Sequence, residues 1–331
     1  MQFRTEVFLD KCEKSIDHQS KLILLGSCFS QHIGSRLIRS KVSTLVNPFG
    51  TIFHPEPIFH LLQRAMLGQY FDEADCVSVE GGYALMEVHS SFQAASAAEV
   101  VMKANQYLEM LQSSLTSADF LFLTFGTSIG HSFKGNTQLV ANCHKLPNHF
   151  FDIIQRPVEH MYGYAAPIVD KLQLQYPNLN ICYTVSPVRH TRQGMLENSR
   201  SKANLVELSH RLMDRSKDRG FYFPAYEIFM DDLRDYRWYE ADLIHPTSHA
   251  VEYVWELFSK YFFSDQTVEL LQEIAKIIAA TAHEIQKPGS ETANKFCRAQ
   301  LQKIELLESR YSFLDFQSER THFQRFLTDK A

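Results

Sequence analysis

The sequence predicts an α/β protein built on a parallel, doubly wound sheet, with a helical extension at its C-terminus. Short apolar runs recur at 22–25, 42–46, 120–125, 179–185 and 221–223, each too brief for a helix. Between them lie longer stretches whose apolar residues fall three and four apart, the period of an amphipathic helix. Strands alternating with helices at such spacing form parallel sheets with right-handed crossovers. The unusual polar residues follow the runs, and in such sheets ligands bind beyond the carboxyl ends of the strands.

The first strand, 21–25, ends in Gly26-Ser27. Phe29, Ile33 and Leu37 then recur every four residues, so Ser27 falls in the turn between a buried strand and a helix N-terminus. There its hydroxyl is expected to be exposed beside free backbone N–H groups. Ser27 is then either an N-cap or a nucleophile with half an oxyanion site at hand. The second strand, 42–46, is broken by Asn47-Pro48-Phe49-Gly50-Thr51. A helix over 55–67 opens with prolines in its first turn. An insertion at about 68–95 contains a hairpin around Gly81-Gly82. A helix over 96–115 leads to the strongest buried-strand signal, Phe120-Leu121-Phe122-Leu123-Thr124-Phe125-Gly126. Residues 127–150 read as irregular and polar. They hold Ser128, His131, Asn136, Asn142, His144 and His149. A helix over 158–175 precedes the strand at 178–185, which runs into Ser186-Pro187-Val188-Arg189-His190. A long helix (198–215), a short strand (221–223), Asp242-Leu243-Ile244-His245-Pro246 and a helix at 248–263 complete a domain of residues 1–263. Residues 264–331 read as a helical hairpin broken at Lys287-Pro288-Gly289-Ser290, packed on the core or on a partner. A homo-oligomer formed through these helices would use such a face.

A net charge of −5, with no basic stripe, argues against nucleic acid as partner. No apolar run reaches the ~20 residues of a membrane span. The N-terminal stretch lacks the features of a signal peptide. The six cysteines are scattered without a C-x-x-C pair, so free thiols and a reducing cytoplasm are expected. No cofactor is expected. His89, His144 and His190 lack carboxylates at matching spacing and read as hydrogen-bonded loop histidines, with no metal. Cys28 is expected to point into the core.

Asp242 and His245 stand three apart, so a tight turn puts both side chains on one side. The carboxylate then orients the imidazole and fixes its tautomer. Ser27, His245 and Asp242 would divide the roles of nucleophile, base and orienter. Arg189 offers a bidentate partner for a carboxylate or phosphate, or a structural ion pair.

These blocks carry a resemblance. The Gly-Ser turn, the Asn and Gly after the second strand, the glycine after the third and the late D-x-x-H-P resemble the blocks of GDSL/SGNH-type hydrolases. More closely, the chain resembles the bacterial GSCFA family over about residues 3–262. The likeness rests on Gly26-Ser27-Cys28-Phe29-Ser30, Val46-Asn47-Pro48-Phe49-Gly50, His89-Ser90-Ser91-Phe92 and Thr124-Phe125-Gly126-Thr127. It continues through Val140-Ala141-Asn142-Cys143-His144-Lys145, Ser186-Pro187-Val188-Arg189-His190, Tyr222-Phe223-Pro224-Ala225-Tyr226-Glu227 and His245-Pro246. It implies a three-layer α/β/α fold and a serine esterase, or an acyltransferase of the same fold. The substrate implied is an O-acyl ester, acetyl above all, of a sugar or small alcohol. Ser27 would be the nucleophile, and the Ser27 and Gly50 N–H groups would be oxyanion donors. The superfamily's third donor is an Asn soon after the third-strand glycine. Here Thr127 and Ser128 follow Gly126, leaving Asn142 or the Ser128 hydroxyl to substitute. Arg189, His190 and Asn47 would contact substrate. A catalytically idle member that binds a carbohydrate or other small ligand through Arg189 is the alternative.

Overall fold

The computed structural model describes residues 4–285 and 287–327. Residues 1–3, 286 and 328–331 of the expected domains lie outside the described residues. In chain order come β1 (Lys21–Gly26), α1 (Cys28–Arg39), β2 (Ser43–Val46) and α2 (Pro55–Leu67). The hairpin β3 (Cys76–Val79) and β4 (Gly82–Leu85) follows, then α3 (Ala97–Leu115) and β5 (Phe120–Phe125). Next are β6 (Ile129–Phe133), β7 (Leu139–Val140), β8 (Phe151–Gln155), α4 (Val158–Gln175) and β9 (Asn180–Val185). The rest is α5 (Met195–Ser216), β10 (Gly220–Tyr222), the short α6 (Ala225–Glu227), α7 (Ser248–Phe262), α8 (Asp265–Thr281), α9 (Glu291–Arg310) and α10 (Gln317–Gln324).

The central sheet has the order β10-β9-β5-β1-β2, and its five strands fall on the five apolar runs of the sequence. β1, β5 and β9 fill its middle. Every residue of β5 and β9 is buried, the pattern of a parallel strand covered on both faces. The register sets Leu22 opposite Phe120 and Phe120 opposite Asn180. Alternation then divides the side chains between two layers. Ile23, Leu25, Leu121, Leu123, Ile181 and Tyr183 join the core formed with α2 to α5. On the other face Phe122 meets Phe258 of α7 at 5.6 Å between ring centroids, and Phe258 meets Phe223 at 5.3 Å.

The segment after β5 departs from the sequence reading. Residues 127–150, expected to be irregular, contain β6 and β7, which with β8 form a three-stranded antiparallel sheet of order β7-β6-β8. Its strands are only two to five residues long, and polar residues interrupt them.

The chain divides into two compact units. Among the described residues the first comprises 4–9, 21–35 and 44–258; the second comprises 10–20, 36–43, 259–285 and 287–327. The C-terminal part of the second unit carries three helices where a hairpin was expected. Ser264 and Ser290 cap α8 and α9, accepting from the Thr267 and Ala293 N–H groups. Leu270, Ile274, Ile304, Leu307, Phe316 and Phe323 form its core. The two early segments are stitched into this unit. The Cys12 N–H donates to the Tyr261 carbonyl at 2.9 Å, Ile16 bridges Phe263, and Lys41 Nζ binds both Glu319 carboxylate oxygens at 2.9 Å. All six cysteines are free thiols. Among the described residues no helix is long and apolar enough to cross a membrane.

Candidate active site

The loops after β1, β2, β5 and β9 sit at the carboxyl edge of the central sheet, all in the first unit. Gly26 turns the chain there with φ +130°, and a Cβ on it would lie 2.1 Å from the Thr124 carbonyl oxygen, so no other residue fits. The turn is pinned on every side. Gly26 N–H donates to Asn47 Oδ1 at 2.8 Å, Ile52 N–H donates to the Gly26 carbonyl at 2.9 Å, and Ser27 N–H donates to the Thr124 carbonyl at 3.1 Å.

Ser27 does not have the environment expected for it. It is fully buried (0 % exposed), and its Oγ accepts the Phe29 N–H at 3.2 Å, which makes it the N-cap of α1. The expected oxyanion donors are engaged as well. Ser27 N–H is held by Thr124, and Gly50 N–H closes a turn onto the Asn47 carbonyl at 2.8 Å. Gly50 itself has φ +77°, and a Cβ there would lie 2.3 Å from His89 Cβ. These bonds arise from strand register and turn closure, which a motif does not encode. Asn47, expected at the substrate, is instead a brace. It is 7 % exposed with φ +41°, its Oδ1 holds Gly26, and its Nδ2 is buried without a partner. Asn142 likewise serves its own loop, its Oδ1 accepting the His144 N–H at 2.7 Å; no hydrogen bond joins it to Ser27. Ser128 Oγ, the other substitute donor, is fully buried and unpartnered.

Asp242 and His245 meet as their spacing predicts. His245 Nδ1 lies 2.6 Å from Asp242 Oδ2, while Asp242 Oδ1 accepts the Ile244 and His245 N–H groups at 2.9 and 3.0 Å. The His245 side-chain bond, seconded by the two backbone N–H groups, lowers the Asp242 pKa to about 2. The pair rides on a hairpin. Glu240 N–H donates to the His245 carbonyl at 2.8 Å, and Tyr239 bridges Pro246. Leu243, between the two residues, has φ +58°, a strained conformation for a bulky side chain.

Arg189 explains how that strain is held. Its guanidinium lies 4.1 Å from the Tyr239 ring centroid and 5.3 Å from that of Tyr236, and its Nη1 donates to the Leu243 carbonyl at 3.3 Å. It braces the hairpin and lines a cavity of about 120 Å³ with Arg234, Tyr236 and Tyr239. His190 packs edge-on against Phe53 at 5.1 Å, and its backbone N–H donates to Asn198 Oδ1 at 2.8 Å. Its Nε2 is buried and unpartnered. Burial, with Lys202 and His245 nearby, lowers its pKa to about 3.

No hydrogen bond joins Ser27 to His245. Their neighbours do meet: an apolar slot is lined by Cys28, Phe29, Ile33, Val188, Pro246 and Val254, so the residues after Ser27 and after His245 share its wall. Burial raises the Cys28 thiol pKa. Among the described residues no group of three or more His, Cys, Asp or Glu side chains is placed to hold a metal ion.

With this arrangement in view, the comparison with known families is decisive: the GSCFA family model matches residues 21–258. The chain belongs to the GSCFA family. A second model, the C-terminal domain of GSCFA domain proteins, matches residues 274–329. No curated protein is significantly similar to the chain. The GSCFA match spans every loop described above.

One residue of this site was missed in the sequence. Lys202, in α5, is 1 % exposed, and its Nζ donates to the Gly126 and Ser186 carbonyls at 2.7 and 2.6 Å. Its position carried the signal. Asn198, Ser201, Leu205, Leu208 and Leu212 fall three and four apart, and Lys202 lies on that buried stripe.

Proposed function

We propose that the protein is a serine esterase of the SGNH type, with Ser27, His245 and Asp242 as its triad. The substrate would be an O-acyl ester, first of all O-acetyl, of a sugar or small alcohol. The observation that carries this reading is the 2.6 Å His245–Asp242 contact at the sheet's carboxyl edge, on a hairpin that shares a slot with the residue after Ser27. Asp242 holds the Nδ1 proton of His245 and leaves Nε2 as the base. Ser27 Oγ bonds to the ester carbonyl carbon while His245 takes the hydroxyl proton. The bond from that carbon to the alcohol oxygen then breaks, and His245 returns the proton to the departing oxygen. Water repeats the attack on the acyl-serine, His245 again moving the proton, and releases the acid with Ser27 restored. An alcohol in place of water makes the same steps an acyl transfer.

A second reading, a binding module without turnover, is favoured by one observation, the complete burial of Ser27. Release of p-nitrophenol from p-nitrophenyl acetate by wild type, Ser27→Ala and His245→Ala separates the two, together with fluorophosphonate labelling. Turnover lost in both variants, with labelling lost in Ser27→Ala, supports the esterase. Equal rates in all three, with no labelled serine, leave the binding module.

A further inference from the structure

We propose that Lys202 is a positioning residue of the site, a buried cation that fixes the loops after β5 and β9 and stabilises negative charge developing beside Ser27. Lysine is rarely buried without a counter-charge, because the ammonium loses its hydration. Here no carboxylate among the described residues pairs with it; its partners are the carbonyls of Gly126 and Ser186. Those two residues begin the loops that carry Ser128 and, from β9, Arg189 and His190. In the sheet order β9-β5-β1, the ammonium stands at the tops of β9 and β5, one strand from Ser27. The ionisable groups around it are the Cys28 thiol, the His190 imidazole and the Tyr226 phenol, whose ring centroid is 5.9 Å from Nζ. None of them is an anion at neutral pH, so the positive charge is uncompensated.

An ester attacked at Ser27 becomes an oxyanion, and the two backbone donors expected for it are engaged elsewhere. A charge held in a dry, low-dielectric setting acts over several ångströms and needs no reorganisation when the oxyanion forms. Burial lowers the Lys202 pKa to about 7. As pH rises through this value the amine keeps two N–H groups for its carbonyls but loses the charge. Loop anchoring and electrostatic help are thereby separable.

The inference rests on the esterase reading, and the experiment distinguishes their failures. Hydrolysis of p-nitrophenyl acetate is followed from about pH 5.5 to about pH 9.5 for wild type, Lys202→Met and Ser27→Ala. Lys202→Met is expected to lower kcat about 10²- to 10³-fold with KM within about threefold. Wild-type kcat is expected to fall as pH rises above about 7, and this alkaline limb should be absent from the residual activity of Lys202→Met. Wild-type kcat and an unchanged pH profile in Lys202→Met would overturn the role of Lys202 while the esterase stands. Turnover that survives in Ser27→Ala removes the esterase and this inference with it. If Lys202→Met does not fold, the wild-type profile decides alone, and a kcat level to pH 9.5 overturns the inference.

Discussion

Asn47 offers the sharpest test of how the Ser27 turn is held. In Asn47→Ala the buried Gly26 N–H loses its acceptor at 2.8 Å, and leaving such a donor unsatisfied costs about 1–3 kcal/mol. Alanine must also adopt the left-handed φ of +41°, which adds about 1 kcal/mol, since asparagine tolerates that region and alanine does not. Against this, the unpartnered Nδ2 is removed from the interior, which offsets part of the loss. The expected net destabilisation is about 2–3 kcal/mol. Urea unfolding at an unchanged m-value measures it. Asn47→Gly separates the parts: it loses the hydrogen bond but accepts the backbone, so it should be more stable than Asn47→Ala by about 1 kcal/mol. A loss below about 1 kcal/mol in Asn47→Ala, or glycine no better than alanine, would refute the reasoning.

Asp242→Asn keeps an acceptor for the two backbone N–H groups but no longer fixes the His245 tautomer, so kcat should drop about 10²- to 10⁴-fold with little change in thermal stability. Lys202, with a folded pKa of about 7, binds fewer protons in the native than in the unfolded chain between about pH 7 and 10. Stability should therefore rise with pH across that window, by at most ~1.4 kcal/mol per pH unit from this group. Urea titrations should show the contribution missing in Lys202→Met. His54, fully buried where it caps α2, has its pKa lowered to about 3 by burial, as has His190. The unfolded chain takes up these protons near pH 6.5. Each histidine should thus weaken the fold progressively as pH falls from about 6.5 towards 3, and His54→Asn should shrink the slope in acid unfolding curves.

The sheet was legible because its middle strands must be apolar on both faces, and a run such as 120–125 is too short for a helix. The Asp242–His245 pair was legible because a three-residue spacing needs only one turn to close. The oxyanion donors were not, since whether Ser27 N–H is free depends on Thr124, far along the chain, through the β1–β5 register. Arg189 reads from the sequence as a substrate contact or a structural ion pair, and its Leu243 carbonyl partner becomes visible only once the hairpin is folded. Lys202 passed unnoticed, since a lysine in a helix reads as solvated until the stripe around it is counted. The strands of 129–155 are too short for their alternation to stand out.

The second unit is assembled from three separated stretches, and that has a consequence for synthesis and for trimming. Residues 10–20 and 36–43 leave the ribosome early, but their partners begin only at residue 259. At ~5–20 residues per second the wait is on the order of tens of seconds. Ile16, fully buried in the finished protein and bridged to Phe263, stays uncovered or chaperoned through that interval. By the same logic, a chain cut after residue 258 does not yield a clean first unit. It retains two orphaned segments whose apolar side chains have lost their cover, so removing the C-terminal helices should promote aggregation.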